Sequence, residues 1–396
     1  MNVQDQYNAF VKRKIIRERV SGPLKDYSFA VKDNVAVANQ PFTAGHPLLS
    51  ERKAAATAPA VQKFFDAGAQ FVGMTQTDAG GFGAVTPQTK NPINDSLMVG
   101  GSSGGSAAAI LGGNCDFAVG TDTGGSVRIP AACTGLFAFK PSFGRVSNDG
   151  VFPLAQNLDH VGILARSIDI LINSSLIMLE SSGFKNANKN KTLKVAVEKD
   201  TSGFFADEIK ETLDRVVNLL TSKKYTVEYL IVPGRKNLAE AHGIIVLSEA
   251  LKNYKDLSSK ERQQLGKAAQ KGLEYAEKLT HETISGAWEW AKAAKKHMEG
   301  ILSPYDILIS PTLPILPPAR ETYRIKLNGE KVPVTVAMTA ITCLANITGA
   351  PVVTIPDPGS TTSPPISLQF MAKLTMDEDL LRNSKQIFAD LREPGQ

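Results

Sequence analysis

Two glycine-rich loops that carry serines constrain this chain more than any other feature. They are Gly100-Gly101-Ser102-Ser103-Gly104-Gly105-Ser106 and Thr121-Asp122-Thr123-Gly124-Gly125-Ser126-Val127-Arg128-Ile129-Pro130. Each sits among alternating helix-like and strand-like segments. Ala58 to Ala67 has apolar residues at helical spacing (Val61, Phe64, Phe65, Ala67), stops at Gly68, and gives way to the strand-like Phe71-Val72-Gly73-Met74. After the first loop the alternation returns, with a helix over Ala107 to Leu111 and a strand at Asp116-Phe117-Ala118-Val119. Repeated αβ units imply an α/β fold, a central mixed β-sheet covered by α-helices on both faces.

The rest of the chain extends that plan. Phe29 to Val37 reads as a buried strand that breaks at the polar Lys32-Asp33-Asn34 and resumes, which puts Lys32 at a strand end. A helix is expected over Ser167 to Leu179 and a strand at Leu193 to Val197. Residues near Ala206 to Lys223 and Ala239 to Glu299 are rich in Glu, Lys and Ala and read as helical cover, the second stretch carrying Trp288 and Trp290. Strand character returns at Tyr305 to Thr312, Pro351 to Pro356 and Ser367 to Phe370, before a last helix from about Asp377. With 42% hydrophobic residues in 396, the chain can bury a large core. We read it as one domain, 1–396: a core half over 24–180, a variable helical region over 181–300, and sheet completion with a C-terminal helix over 301–396.

Charge and cysteine content narrow the classes of function. The 44 Lys and Arg against 39 Asp and Glu leave a net charge of +5, and the most basic run, Lys185 to Lys191, has no interleaved aromatics. It reads as a solvated loop, and no nucleic-acid partner is expected. Cys115, Cys133 and Cys343 form no CxxC pair and suit a reducing compartment. No apolar run approaches the ~20 residues needed to cross a bilayer, and the start of the chain lacks a secretory signal's layout. The expectation is a cytoplasmic monomer or homodimer with no membrane contact, no cofactor and no metal.

Chemistry enters through the serines and Lys32. A Ser–Ser–Lys relay needs a neutral amine and a bridging hydroxyl where a histidine-assisted serine enzyme needs an imidazole. In Asp122-Thr123-Gly124-Gly125-Ser126 the two glycines let successive N–H groups converge on one point. An oxyanion hole built that way is worth roughly 2.7–4 kcal/mol per donor. Arg128 never loses its proton and is expected to pair with a buried carboxylate such as Asp122.

Rival patterns are weaker. Gly100 to Gly105 opens onto a helix and could hold an anion, yet neither GxxxxGK[ST] nor GxGxxG is present. Gly101-Ser102-Ser103-Gly104-Gly105 also fits GxSxG, with Ser103 as nucleophile, and His160, His242, His281 and His297 are the histidines available to it. Ser50-Glu51-Arg52-Lys53 fits SxxK without the accompanying SDN or KTG elements.

The two loops, followed by Phe139-Lys140-Pro141-Ser142-Phe143-Gly144-Arg145-Val146-Ser147, resemble the amidase signature family. Leu158-Asp159-His160-Val161-Gly162, Tyr305 to Thr312 and Ala345-Asn346-Ile347-Thr348-Gly349-Ala350-Pro351 agree with it. The resemblance runs from about Leu24 to about Phe388 and is most specific between 100 and 147. It implies Ser126 as nucleophile, Ser102 as bridging serine after a cis peptide bond, and Lys32 as general base. It also implies an oxyanion hole from the amides of Thr123, Gly124, Gly125 and Ser126, with Ser103 in support. Such an enzyme hydrolyses the C–N bond of a small-molecule amide through an acyl-enzyme. The same triad serves the glutamine-hydrolysing subunit of a tRNA-dependent amidotransferase, and an inactive binding protein would keep the same fold. The chain is short for the family, the 74–87 segment departs from the usual pattern, and Phe152 to Gln156 resembles the branch of the indole-acetamide hydrolases.

Overall fold

A computed structural model describes residues 5–184, 192–223 and 225–392. The basic run Lys185 to Lys191 lies outside the described residues. The strands in chain order are β1 (Phe10–Ile16), β2 (Ser28–Lys32), β3 (Gln70–Thr75), β4 (Phe117–Asp122), β5 (Phe137–Lys140), β6 (His160–Ala165), β7 (Lys194–Glu198), β8 (Thr226–Leu230), β9 (Ile307–Pro311), β10 (Arg324–Leu327), β11 (Glu330–Pro333), β12 (Val352–Pro356) and β13 (Ser367–Met371). Eleven of them form one sheet in the order β1-β3-β2-β4-β6-β5-β12-β13-β9-β7-β8, and β10 with β11 makes a separate hairpin. The sheet is mixed: β3, β2 and β4 run parallel, as do β9, β7 and β8, while β5, β6, β12 and β13 pair antiparallel.

Helices cover it: α1 (Pro59–Asp66), α2 (Gly104–Leu111), α3 (Arg128–Thr134), α4 (Ile168–Met178), α5 (Asp207–Ser222), α6 (Arg235–Asn253), α7 (Ser259–Arg262), α8 (Lys267–Ala276), α9 (His281–Leu302), α10 (Val334–Thr339), α11 (Cys343–Thr348) and α12 (Asp377–Arg392). The helical stretch expected over Ala239 to Glu299 is thus four helices, α6 to α9. None is long and apolar enough to cross a membrane among the described residues. The three cysteines are buried and unpaired.

Strand alternation explains where the key lysine points. On β2, Phe29 and Val31 enter the large core, while Ala30 faces the alanines of α2, Ala107 to Ala109, on the other side. Period two places Lys32 on the α2 side, beside the loop that precedes that helix. Phe29 anchors the strand: its ring lies 5.3–5.7 Å from those of Phe64, Phe65, Phe71 and Phe117. Such aromatic pairs add about 0.5–1.5 kcal/mol each beyond simple burial.

The register does the rest. β2 and β4 are parallel with Val31 opposite Val119, so both strands end at the same edge of the sheet, where Lys32 meets the turn that begins at Asp122. Crevices at the carboxyl ends of parallel strands are where α/β sheets place ligand sites. The strand expected to resume over Val35 to Val37 does not form. Val35 makes one isolated bridge, to Val151, because the chain turns at Asp33 and Asn34.

Candidate active site

At this edge the Lys32 Nζ lies 2.7 Å from the Ser102 Oγ and 2.8 Å from the Thr121 Oγ1. Asn34 reaches the same threonine, donating from Nδ2 to Oγ1 at 2.9 Å. The amine is fully buried, and desolvation, working against the charges of Asp78, Asp122 and Asp159, lowers its pKa from the usual 10.5 to about 7. A neutral, proton-accepting lysine is therefore populated near neutral pH.

The first loop carries Ser102 past a carboxylate. The Gly101–Ser102 peptide is cis, and a Cβ on Gly101 would stand 2.3 Å from the Asp78 Oδ2, so only glycine passes here. Asp78 is fixed by the amides of Val85 and Thr86, which donate to it at 3.0 and 2.8 Å. Burial raises its pKa. The two loops touch directly, Ser103 N donating to Ser126 O at 3.1 Å.

The second loop is held from below by an ion pair. Arg128 sets its Nη2 2.8 Å from Asp122 Oδ1 and its Nε 3.0 Å from Oδ2, as charge and spacing predict, with both side chains fully buried. The guanidinium also donates to Thr342 O, Gln369 and Asn346, tying the loop to α11 and β13. Burial works to raise the Asp122 carboxyl, and Arg128 with Asn346 overrides it and holds the acid well below its usual range.

One amide of the expected oxyanion hole is otherwise engaged. Gly125 N donates to Asp122 Oδ1 at 2.9 Å, whereas the amides of Thr123, Gly124 and Ser126 have no hydrogen-bond partner among the described residues. The Gly125 amide serves instead to shape the turn. Its φ of +127° and a Cβ position 2.2 Å from Thr342 Oγ1 leave room for glycine alone. Thr342 Oγ1 donates to Gly124 O at 2.5 Å, and the His242 Nε2 sits 2.9 Å from Thr123 O.

Access runs from the inside outward. Lys32 is 0% exposed, Ser102 1% and Ser126 8%, and among the described residues Ser126 bonds only through its carbonyl, to Ser103 N, leaving its hydroxyl unpartnered. Of the three, it is the group that an incoming molecule meets first. The Ser103 Oγ instead points to Thr121 O at 3.4 Å. No histidine bonds Ser103 among the described residues. The His160 Nδ1 lies on Leu158 O and Asp122 O, His242 on Thr123 O, and His297 lines a separate cavity between α6 and α9. No cluster of His, Cys, Asp and Glu suited to a metal occurs among the described residues.

Several contributors carry no role that the sequence alone assigns. Asn34, Thr121, Asp159 and Asn346 all stand inside the motifs quoted above, and burial of a polar residue there is the available signal. Asp78, His242 and Thr342 have none, because they reach the site from other segments of the chain.

Residues 5–381 match the Amidase family, and the chain belongs to it. This is the amidase signature group, whose members hydrolyse amide C–N bonds. The chain is 28% identical to a glutamyl-tRNA(Gln) amidotransferase subunit from Natronomonas pharaonis, over 95% of this chain and 98% of that one. Among solved structures, an amidase superposes with a TM-score of 0.83 at 27% identity, covering 95% of this chain and 86% of that one. A protein from a vestigial complex tied to the origins of an s-triazine catabolic enzyme superposes at 0.84 and 26%, covering 94% and 85%. A relative that by name serves glutamyl-tRNA gives no support to the expectation that nucleic acid plays no part.

Proposed function

We propose that this protein hydrolyses a small carboxamide through an acyl-enzyme on Ser126, with Ser102 as the bridge and Lys32 as the general base. The observation that carries the reading is the 2.7 Å contact between a buried amine, titrating near 7, and the Ser102 hydroxyl. In the forward step Ser126 Oγ attacks the amide carbon, its proton passes to Ser102, and the Ser102 proton passes to Lys32 Nζ. The carbonyl oxygen gains negative charge opposite the free amides of Thr123, Gly124 and Ser126. The proton then returns by the same route to the leaving nitrogen, the C–N bond breaks, and ammonia or an amine departs. Water, deprotonated along the same relay, attacks the ester and releases the carboxylic acid and the free serine.

A second reading is favoured by the Natronomonas relative, matched across nearly its whole length. In it the same relay releases ammonia from glutamine for a partner subunit that amidates a charged tRNA. The buried, unpaired cysteines accord with a cytoplasmic setting for either.

A panel of amides, including glutamine, indole-3-acetamide and acetanilide, assayed for ammonia or amine release separates the two readings. Turnover of aryl or alkyl amides by the isolated chain supports the stand-alone amidase. Release from glutamine alone, with copurification of a second chain, supports the amidotransferase. Turnover of none of them by any preparation would refute both.

A further inference from the structure

Asp159 stands outside the relay, yet it grips the loop that faces the substrate carbonyl. The residue lies just before β6 and is 4% exposed. One carboxylate oxygen, Oδ1, accepts the Thr123 hydroxyl at 2.5 Å; the other, Oδ2, accepts the amides of Leu154 and Ala155 at 3.0 and 3.1 Å. Three donors converge on two oxygens with no competing acceptor, an arrangement that suits an ionised carboxylate and frustrates a protonated one. Its own turn is closed by Asp159 N donating to Ala155 O at 2.8 Å, so the clamp is built on rigid backbone.

Two carbonyls and one amide of residues 123–125 are also anchored. His242 takes Thr123 O, Thr342 takes Gly124 O, and Asp122 takes Gly125 N. Thr123 is thus held at both ends, by its hydroxyl and by its carbonyl, while its amide and that of Gly124 are left free. We infer that Asp159 is a positioning residue for this oxyanion loop, its carboxylate obliging Thr123 to donate and so aiming the free amides of Thr123 and Gly124 at the substrate carbonyl oxygen. The inference rests on the acyl-enzyme reading above.

The surroundings make this clamp pH-dependent. Burial raises the Asp159 acid to about 6 against the three hydrogen bonds that lower it, and Glu249 on α6 adds to the rise. Lys32 on β2 faces the same charge, which lifts the amine's own pKa. The Asp122–Arg128 pair beneath the loop balances its own charges. Full activity therefore needs two groups without their protons, the amine and the carboxylate. Between about pH 7 and pH 5 the logarithm of kcat/KM therefore falls more steeply than the slope of one that the amine alone imposes, the excess amounting to about the factor lost in Asp159→Asn.

Hydrolysis of p-nitrophenyl acetate and of acetanilide by Asp159→Asn, Thr123→Val, Thr123→Ser and Lys32→Ala tests the assignment. In Asp159→Asn the side-chain amide must turn its oxygen to the two backbone amides and its NH2 to Thr123, which reverses the threonine's hydrogen bond. The expected result is a loss of about ten-fold or more in kcat with little change in KM, an acid limb of slope one, and a midpoint moved to lower pH. Thr123→Val should lose kcat to the same degree and Thr123→Ser should restore it. Should Asp159→Asn fail to fold, the valine and serine pair decides the matter. Wild-type kcat in Asp159→Asn or Thr123→Val, or the same excess fall on the acid side in Asp159→Asn, overturns the inference and leaves the relay standing if Lys32→Ala is dead. Full activity in Lys32→Ala overturns the acyl-enzyme reading and this inference with it.

Discussion

Replacing Lys32 by methionine should make the protein more stable at low pH and remove that advantage at high pH. The side chain keeps its length and loses its charge. Burial moves the amine from 10.5 in the unfolded chain to about 7 in the folded one, and at about 1.4 kcal/mol per pH unit this amounts to about 5 kcal/mol. Below pH 7 both states hold the proton and the whole cost falls on the folded state. Between 7 and 10.5 the unfolded chain binds the proton that the folded chain has shed, so wild-type stability rises with pH; above 10.5 the proton-linked cost is gone. The variant also strands the Ser102 and Thr121 hydroxyls, a penalty of about 1–3 kcal/mol that does not vary with pH. Lys32→Met is therefore expected to be about 2–4 kcal/mol more stable at pH 6, with wild type regaining about 2–3 kcal/mol by pH 9. Urea unfolding followed by the fluorescence of Trp288 and Trp290 at pH 6, 7.5 and 9 reads the difference. A difference constant across that range would mean that the amine titrates as an ordinary lysine, and the case for a neutral base would fail.

Six further substitutions probe the site. Lys32→Ala and Ser126→Ala should each lower kcat by about 10³-fold or more and Ser102→Ala nearly as much, with Ser103→Ala milder; initial rates on the amide panel check this, and a dead Ser103→Ala beside an active Ser126→Ala would instead favour the GxSxG rival. Arg128→Met leaves Asp122 charged and without its cation in the interior, and should cost about 3–5 kcal/mol of stability, read as a fall in the urea midpoint at pH 7.5. Gly125→Ala would drive a methyl against Thr342 at a φ of +127°; kcat should drop about 10²-fold while the far-ultraviolet circular dichroism stays as in wild type.

Periodicity exposed the elements with strong local signals. Helices α1, α4 and α5 lie within a residue or two of their expected ends, as do β3, β9, β12 and β13. What escaped has a physical reason. β1 carries Lys12, Arg13 and Lys14 because it lies at the sheet edge, where charge guards against pairing with another chain. β8 is the opposite edge and shows no clean alternation. β5 and β6 are continuous buried runs without period two, since both of their faces are covered.

The site divides along the same line. Ser102, Asp122, Ser126 and Arg128 are legible because glycine loops demand special backbone and so mark themselves, and Lys32 because it is a charge at the end of an apolar strand. Pairing of Asp122 with Arg128 followed from charge and spacing alone. The Gly125 amide was assigned to the oxyanion hole, but a carboxylate three residues back in the chain captures it, a competition that only the folded turn reveals. His242 and Thr342 come from sequence 116 and 216 residues beyond Ser126, and nothing local in α6 or before α11 announces that they meet the loop.

The relay itself is most directly tested by reaction with a fluorophosphonate, with the modified residue located by mass spectrometry and the rate followed from pH 6 to pH 8.5. The account predicts the tag on Ser126, a rate that climbs through about pH 7 as the Lys32 amine loses its proton, and loss of reaction in Lys32→Ala. A tag on Ser103, or a rate that is flat with pH and unchanged in Lys32→Ala, would contradict it.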